Sequence, residues 1–384
     1  MHPRLSLAIS LALAVSGVTA CAFDQSDDID DVDDTAAARH DDLVDSLDFN
    51  PIDAGWRFAG HQRVVEYDDR LLPSDDDLAA EAERRAALGD RAPTRRTYTL
   101  VVEDGRVFEK DVPVGSDTEL ADSLRGSGAG GETPFNIHGT DDRWIVTNET
   151  TLSTYPYNSI GSQLGSSTSL SGTCTGGLVG PRHVLTAGHC VYSADANSWL
   201  WGRWWSPGHK GRGDDRFVNG SPRQVVGLLS VSDWFDNEMT VADYGMQILK
   251  DESRTANLGW FGLCPYSAAE LDGDTVRLFG YPTAGNDCSG AGSPHDDGLC
   301  DGYMYGETCP VDSVTDKQVH YDCDTQGGQS GSPVWLYHGS DPCIVGVHAY
   351  SSGTATRMTS SRVTLIRDWI CDNPSAFATH GSCD

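Results

Sequence analysis

Three residues of this 384-residue chain are of types that can cooperate in acyl transfer, and each sits in a distinctive setting. Ser330 lies in Gly327-Gly328-Gln329-Ser330-Gly331-Ser332-Pro333, where glycines on both sides permit a tight turn that could present a hydroxyl to a substrate. A serine hydroxyl is a weak nucleophile and needs a base beside it. His189 closes the run Thr186-Ala187-Gly188-His189-Cys190 and could be that base. Asp243 opens the apolar run Tyr244 to Leu249, where a carboxylate is costly to bury unless hydrogen bonded. An imidazole N–H would satisfy it and fix the ring's tautomer. Each residue also has a plainer reading. Gly and Ser are usual loop residues, a lone His is often structural, and Asp243 could be a solvated turn residue.

The elements needed to position them are visible as patterns. Cys174 and Cys190 bracket a stretch that reads as a hairpin whose second strand, "HVLTA", ends at His189. A bridge between the two would close a loop of about 15 residues, contribute about 3 kcal/mol on the chain-entropy model, and hold His189 in place. The chain order His189, Asp243, Ser330 is that of chymotrypsin-type triads, not the Ser…Asp…His order of α/β-hydrolases. A hydrolase elbow would need GxSxG, and Ser332 occupies its last position.

From about Asn136 onward, short strand-like runs alternate with Gly, Pro, Asn and Ser turns, so an all-β sandwich or barrel is expected. Only "SSRVTLIRDWICDN" has apolar residues at helical spacing, which predicts a lone C-terminal helix. Before this region, residues 1–20 read as a signal peptide. The "VTAC" at its end also resembles a lipobox that would place lipid on Cys21. Residues 21–135 read as an acidic segment. Its Asp-rich start is expected to be disordered, and a helix is capped by Ser74 and stopped by Gly89. A hairpin turns at Asp104-Gly105, and a flexible linker spans about 123–132. "SWLWGRWW" reads as aromatic packing beneath a loop, with an aromatic substrate wall as the alternative.

Charge and cysteines bound the chemistry. The formal net charge is −30, and the region from Asn136 alone carries 28 acidic against 14 basic residues. Phosphate binding needs clustered Lys and Arg, so nucleic acid is excluded as a natural partner. Eleven cysteines, ten of them at or beyond Cys174, read as up to five disulfides of an exported protein. No CxxC or paired His spacing supports a metal site. Calcium is conceivable around His295, Asp296, Asp297 and Asp301, yet the spacing lacks the alternating acids of a calcium loop, and a surface insertion pinned by Cys288 and Cys300 is the safer reading.

"TAGHC", "ADYGMQIL", "FGYP" and "GGQSGSPVW", in this order, resemble the secreted bacterial glutamyl endopeptidases of the chymotrypsin-like serine protease superfamily. "IHGTDDRWIVTNETTLSTYPYNSIG", "SPGHKG", "NLGWFG" and "TATRMTS" extend the similarity over about Asn136 to Asp372. The resemblance implies two six-stranded antiparallel β-barrels over 136–384 and a secreted monomer without cofactors. It also implies a prosegment that inhibits the enzyme or assists its folding. Ser330 would attack the scissile carbonyl, His189 would shuttle the proton, Asp243 would orient His189, and the N–H groups of Gly328 and Ser330 would form the oxyanion hole. Thr325 and His348 would select Glu in a protein or peptide substrate. Asp324, six positions before Ser330, has the spacing of the carboxylate that selects Lys or Arg in trypsin-like enzymes. It makes cleavage after basic residues the alternative. A non-catalytic exported binding protein on the same scaffold is the rival from another class.

Overall fold

The computed structural model describes residues 51–62, 64–66, 97–111 and 137–372, apart from 170–171, 194–195, 203, 237–238, 252–253, 284, 301 and 351–352. The signal peptide, Cys21, the capped helix after Ser74, the linker at about 123–132 and Asp301 lie outside the described residues.

Two strands, β1 (Thr97–Val102) and β2 (Arg106–Asp111), form the hairpin expected around Asp104-Gly105. Gly105 takes φ +85°, and the Asp104 carboxylate accepts the Arg106 N–H at 3.0 Å, which closes the turn. This hairpin does not stand apart. It adds to the sheet of the first barrel through β1.

That barrel is built from β3 (Ile160–Leu164), β4 (Cys174–Gly180), β5 (His183–Thr186), β6 (Trp204–Pro207), β7 (Arg223–Val231) and β8 (Gly245–Leu249). The pairing runs β7-β6-β3-β4-β5-β8 and closes through β7–β8, all antiparallel. The second barrel comprises β9 (Thr275–Gly280), β10 (Met304–Val314), β11 (Gln318–Tyr321), β12 (Pro333–His338), β13 (Asp341–Tyr350) and β14 (Thr354–Arg357). Its order β13-β12-β9-β10-β11-β14 closes through β13–β14. Closure gives every barrel strand a neighbour on both sides, though β6 and β7 meet at only two residue pairs, and both barrels are filled by inward apolar side chains. Leu178, Val184, Leu228 and Ile248 lie in the first core, and Val276, Leu278, Val319 and Val345 in the second. The fold is chymotrypsin-like.

A helix α1 (Ser360–Asp372) ends the described chain and buries Val363, Leu365, Ile366, Trp369 and Ile370, the face its apolar spacing predicts. Four disulfides join Cys174–Cys190, Cys264–Cys343, Cys288–Cys300 and Cys309–Cys323, and Cys371 is also disulfide-bonded. In the tryptophan-rich stretch Trp199 and Trp205 are fully buried, as packing residues are.

Candidate active site

His189 sits in a 3-10 turn, Gly188–Cys190, directly after β5. Its neighbour Cys190 is tied to Cys174 at the start of β4, so the turn is anchored to the adjacent strand. Asp243 ends another 3-10 turn, Thr240–Ala242, just before β8. It is fully buried, and both carboxylate oxygens are spent on one residue. Oδ1 accepts the His189 backbone N–H at 2.8 Å, and Oδ2 lies 2.7 Å from His189 Nδ1. A carboxylate acceptor calls for a proton on Nδ1, which leaves Nε2 as the basic nitrogen of the neutral ring. Trp234 and Tyr350 flank the imidazole, with ring centroids at 6.3 and 6.4 Å.

Ser330 lies in the turn that leads into β12, and that turn is bolted to the first barrel. The Ser330 carbonyl accepts the Thr175 N–H at 2.8 Å and lies 3.7 Å from Cys190 Sγ. Thr175 Oγ1 donates to the Gly328 carbonyl at 2.9 Å while accepting the Tyr281 N–H. Gln329 braces the same turn from below: its Oε1 accepts the Gln326 N–H at 2.9 Å and an Arg143 Nη1–H at 3.1 Å. Gly331 has φ +84°, and a side chain there would collide with the Thr175 carbonyl and Thr186 Oγ1. Gly328 has φ +94°, and a side chain would run into the backbone of Thr283. These two positions therefore require glycine. Among the described residues, neither the Gly328 nor the Ser330 backbone N–H has an acceptor. Two such donors beside one hydroxyl can stabilise a developing oxyanion.

His348 lies on β13 in backbone register with this turn. Its carbonyl accepts the Gly331 N–H at 2.7 Å, and its N–H donates to the Ser332 carbonyl at 3.0 Å. Burial lowers the His348 pKa to about 3, so the ring is neutral at ordinary pH. Nδ1 is 2.6 Å from the hydroxyl of Tyr321, which is itself buried and pushed well above the usual phenol range by desolvation. Among the described residues that hydroxyl has no other partner. Its proton must therefore go to Nδ1, since the alternative strands a buried donor. The ring proton consequently resides on Nε2, which has no acceptor among the described residues. Thr325 is fully buried one residue beyond Asp324.

Asp324 is held by backbone donors on both oxygens. It is 2% exposed, and its two oxygens accept the backbone N–H of His138 at 2.6 Å and of Asp142 at 2.8 Å. These bonds tie Asp324 to the segment leading to Trp144–Val146, which pairs with β10 of the second barrel. Glu307 nearby is buried, and its pKa is pushed up to about 7 by desolvation and then by the negative charge of Asp324. Its Oε2 has no hydrogen-bond partner among the described residues.

The residues that sequence patterns missed are those that hold the groups above, namely Thr175, Gln329, Arg143 and Tyr321. Thr175, as the residue after a candidate disulfide cysteine, and Gln329, as the residue before Ser330, carry a local signal. Two clusters bring potential metal ligands together among the described residues, Cys174–His189–Cys190 and Glu307–Cys309–Cys323, and in both the sulfurs are already joined to each other. Asp297 of the Cys288–Cys300 loop pairs with Arg212 at 3.0 Å.

Residues 174–347 match the family described as trypsin-like peptidase domain. The glutamyl endopeptidase of Bacillus licheniformis is 32% identical over 253 residues, which span 63% of this chain and 70% of the relative. A Bacillus subtilis protein named extracellular metalloprotease is 30% identical over 246 residues, 62% of this chain and 70% of that one. Among solved structures, a Glu endopeptidase in complex with MPD aligns with 59% of this chain and 96% of its own, at 26% identity and a TM-score of 0.48.

Proposed function

The chain belongs to the trypsin-like serine peptidases, and from that premise we propose that it is an exported endopeptidase that cleaves peptide bonds after Glu through an acyl-enzyme. The observation that carries this reading is the commitment of both Asp243 oxygens to His189, next to a turn whose free N–H groups flank Ser330. Ser330 Oγ adds to the scissile carbonyl carbon while its proton passes to His189 Nε2. Asp243 holds the resulting imidazolium, and the Gly328 and Ser330 N–H groups take the oxyanion. Collapse expels the amine with that proton, and water repeats the sequence to free the acid. Each oxyanion donor is worth about 3 kcal/mol in the transition state.

The preference for Glu is supported by His348. A neutral imidazole with its proton on Nε2 can offer a hydrogen bond to a side-chain carboxylate, and Thr325 is assigned as the second member of the site. Asp324 is engaged by two backbone donors, which weighs against its serving as the carboxylate that would select Lys or Arg. Export is supported by the disulfides, which persist in oxidising compartments. We assign the N-terminal acidic region as a segment cut from the catalytic chain near residues 123–136.

The test is cleavage of matched peptides that differ only in Glu, Asp, Arg or Lys before the scissile bond, with the Ser330→Ala chain as the control. A preference for Glu lost in Ser330→Ala supports the reading. Cleavage after Arg or Lys, or none by the processed wild type, overturns it.

A further inference from the structure

We propose that the described residues of 51–66 and 97–111 are a permanent wall of the first barrel, so that a chain cut between 112 and 136 remains a two-piece protein instead of shedding its N-terminal part. The wall is read from the structure alone. Only the natural occurrence of the cut rests on the function proposed above.

Strand β7 pairs with β6 at just two residue pairs, Trp204↔Gln224 and Trp205↔Arg223. Beyond them its free edge, Gly227 to Val231, is taken over by β1, from Gly227↔Val102 to Val231↔Tyr98. Without β1, the N–H and C=O groups that alternate residues of Gly227–Val231 turn to that side would be open to water, the arrangement that folded proteins avoid. The side chains tell the same story. Trp56, Tyr98, Leu100, Val102, Val107 and Phe108 are each at most 3% exposed and belong to the same hydrophobic cluster as the barrel interior. A detachable inhibitor is held at its surface. This segment supplies part of a core.

Polar contacts fix its position from two further directions. Lys110 Nζ contacts both carboxylate oxygens of Asp372, at 2.6 and 2.8 Å, in the last turn of α1, and the Tyr98 hydroxyl meets the same carboxylate at 3.3 Å. Tyr98 also packs against Trp56 and Trp369. At the other end, the Gln62 side chain accepts the indole N–H of Trp199 at 2.7 Å, and Val64–Glu66 runs parallel to Ser198–Trp201.

The attachment point has a functional consequence. The Thr97 N–H donates to Ser232 Oγ at 3.0 Å, immediately after the Val231↔Tyr98 pair. From there the chain runs through Trp234, which packs by His189, to Asp243. The wall thus pins the start of the segment that carries two neighbours of the imidazole, and residues 97–111 act as a positioning element.

The experiment uses the full-length Ser330→Ala chain, which cannot cut itself, with the recognition sequence of an unrelated site-specific protease replacing 125–131. After complete cleavage the two pieces are expected to co-elute at the mass of the uncut protein and to separate only in denaturant. Elution of the N-terminal piece alone, with the remaining chain unchanged in melting temperature, overturns the proposal. Adding Tyr98→Ala and Lys110→Ala to the cut protein is expected to lower its melting temperature and release the piece, and an unchanged complex would count equally against it. Both readouts are independent of catalysis, so failure of the peptidase assignment and failure of the wall are distinguishable.

Discussion

The hydroxyl of Tyr321 donates to Nδ1 of His348 at 2.6 Å, and this single bond decides which nitrogen of a buried imidazole carries the proton. Tyr321→Phe removes the donor and lets the ring adopt the other tautomer, with a lone pair facing the substrate carboxylate. A lost neutral hydrogen bond is worth about 1 kcal/mol. Tyr321→Phe should therefore raise KM for Glu peptides about 5-fold at nearly constant kcat. Peptides with Gln before the scissile bond should respond far less. Equal effects on both substrates would show Tyr321 to be a packing residue only.

Asp243→Asn keeps the shape of the buried pair but presents an amide where a carboxylate accepted two bonds from His189. The imidazole then loses its tautomer restraint and its counter-charge, and kcat should fall about 10⁴-fold. Ser330→Ala should fall further, by about 10⁶-fold. Steady-state kinetics on a Glu peptide, with circular dichroism to verify folding, checks both.

Asp324→Asn can satisfy one of the two N–H groups now shared between His138 and Asp142 and turns an NH2 toward the other. The expected result is a destabilisation of about 1.5–3 kcal/mol, the range for hydrogen bonds to a charged group. Thermal unfolding measures it, and the ratio of Glu to Arg cleavage should stay constant. A shift of that ratio would restore Asp324 to the substrate site.

Glu307 gives stability a pH dependence opposite in sign to that of an ion-paired acid. Its folded pKa, about 7, is above the ordinary 4.5, so between those values the native state holds more protons than the unfolded one. This group's contribution to stability therefore falls as pH rises through that window. Glu307→Gln abolishes the penalty, and its melting temperature relative to wild type should climb from pH 5 to pH 8. A difference that stays flat with pH would contradict the assignment.

Local patterns carried the all-β class, the final helix and the Asp104-Gly105 hairpin, because alternation, helical spacing and turn chemistry are written in consecutive residues, and the resemblance supplied the two barrels. Chain order and motif suggested grouping His189, Asp243 and Ser330, and the structure shows the His189–Asp243 contact directly. The braces were not legible. Asp324 meets His138 and Asp142 across 186 and 182 positions, and Tyr321 meets His348 across 27. Such pairings depend on barrel closure, which no short window encodes. The same reason hid the union of β1 with β7. Their strand patterns are plain, but which edge a strand joins is decided by the vacancy left by the short β6–β7 pairing.

Lys110 and Asp372 are separated by 262 positions and touch at 2.6 Å. The first barrel is therefore completed by residues from both ends of the described chain, and synthesis delivers them at opposite times. While the polypeptide is emerging, β1 and β2 exist long before α1, and Tyr98 waits for Trp369 as its lid. Vectorial folding cannot finish this domain piecemeal, because contacts of such sequence separation form late. The packing of the first barrel against β1 and β2 is therefore complete only once α1 has been made.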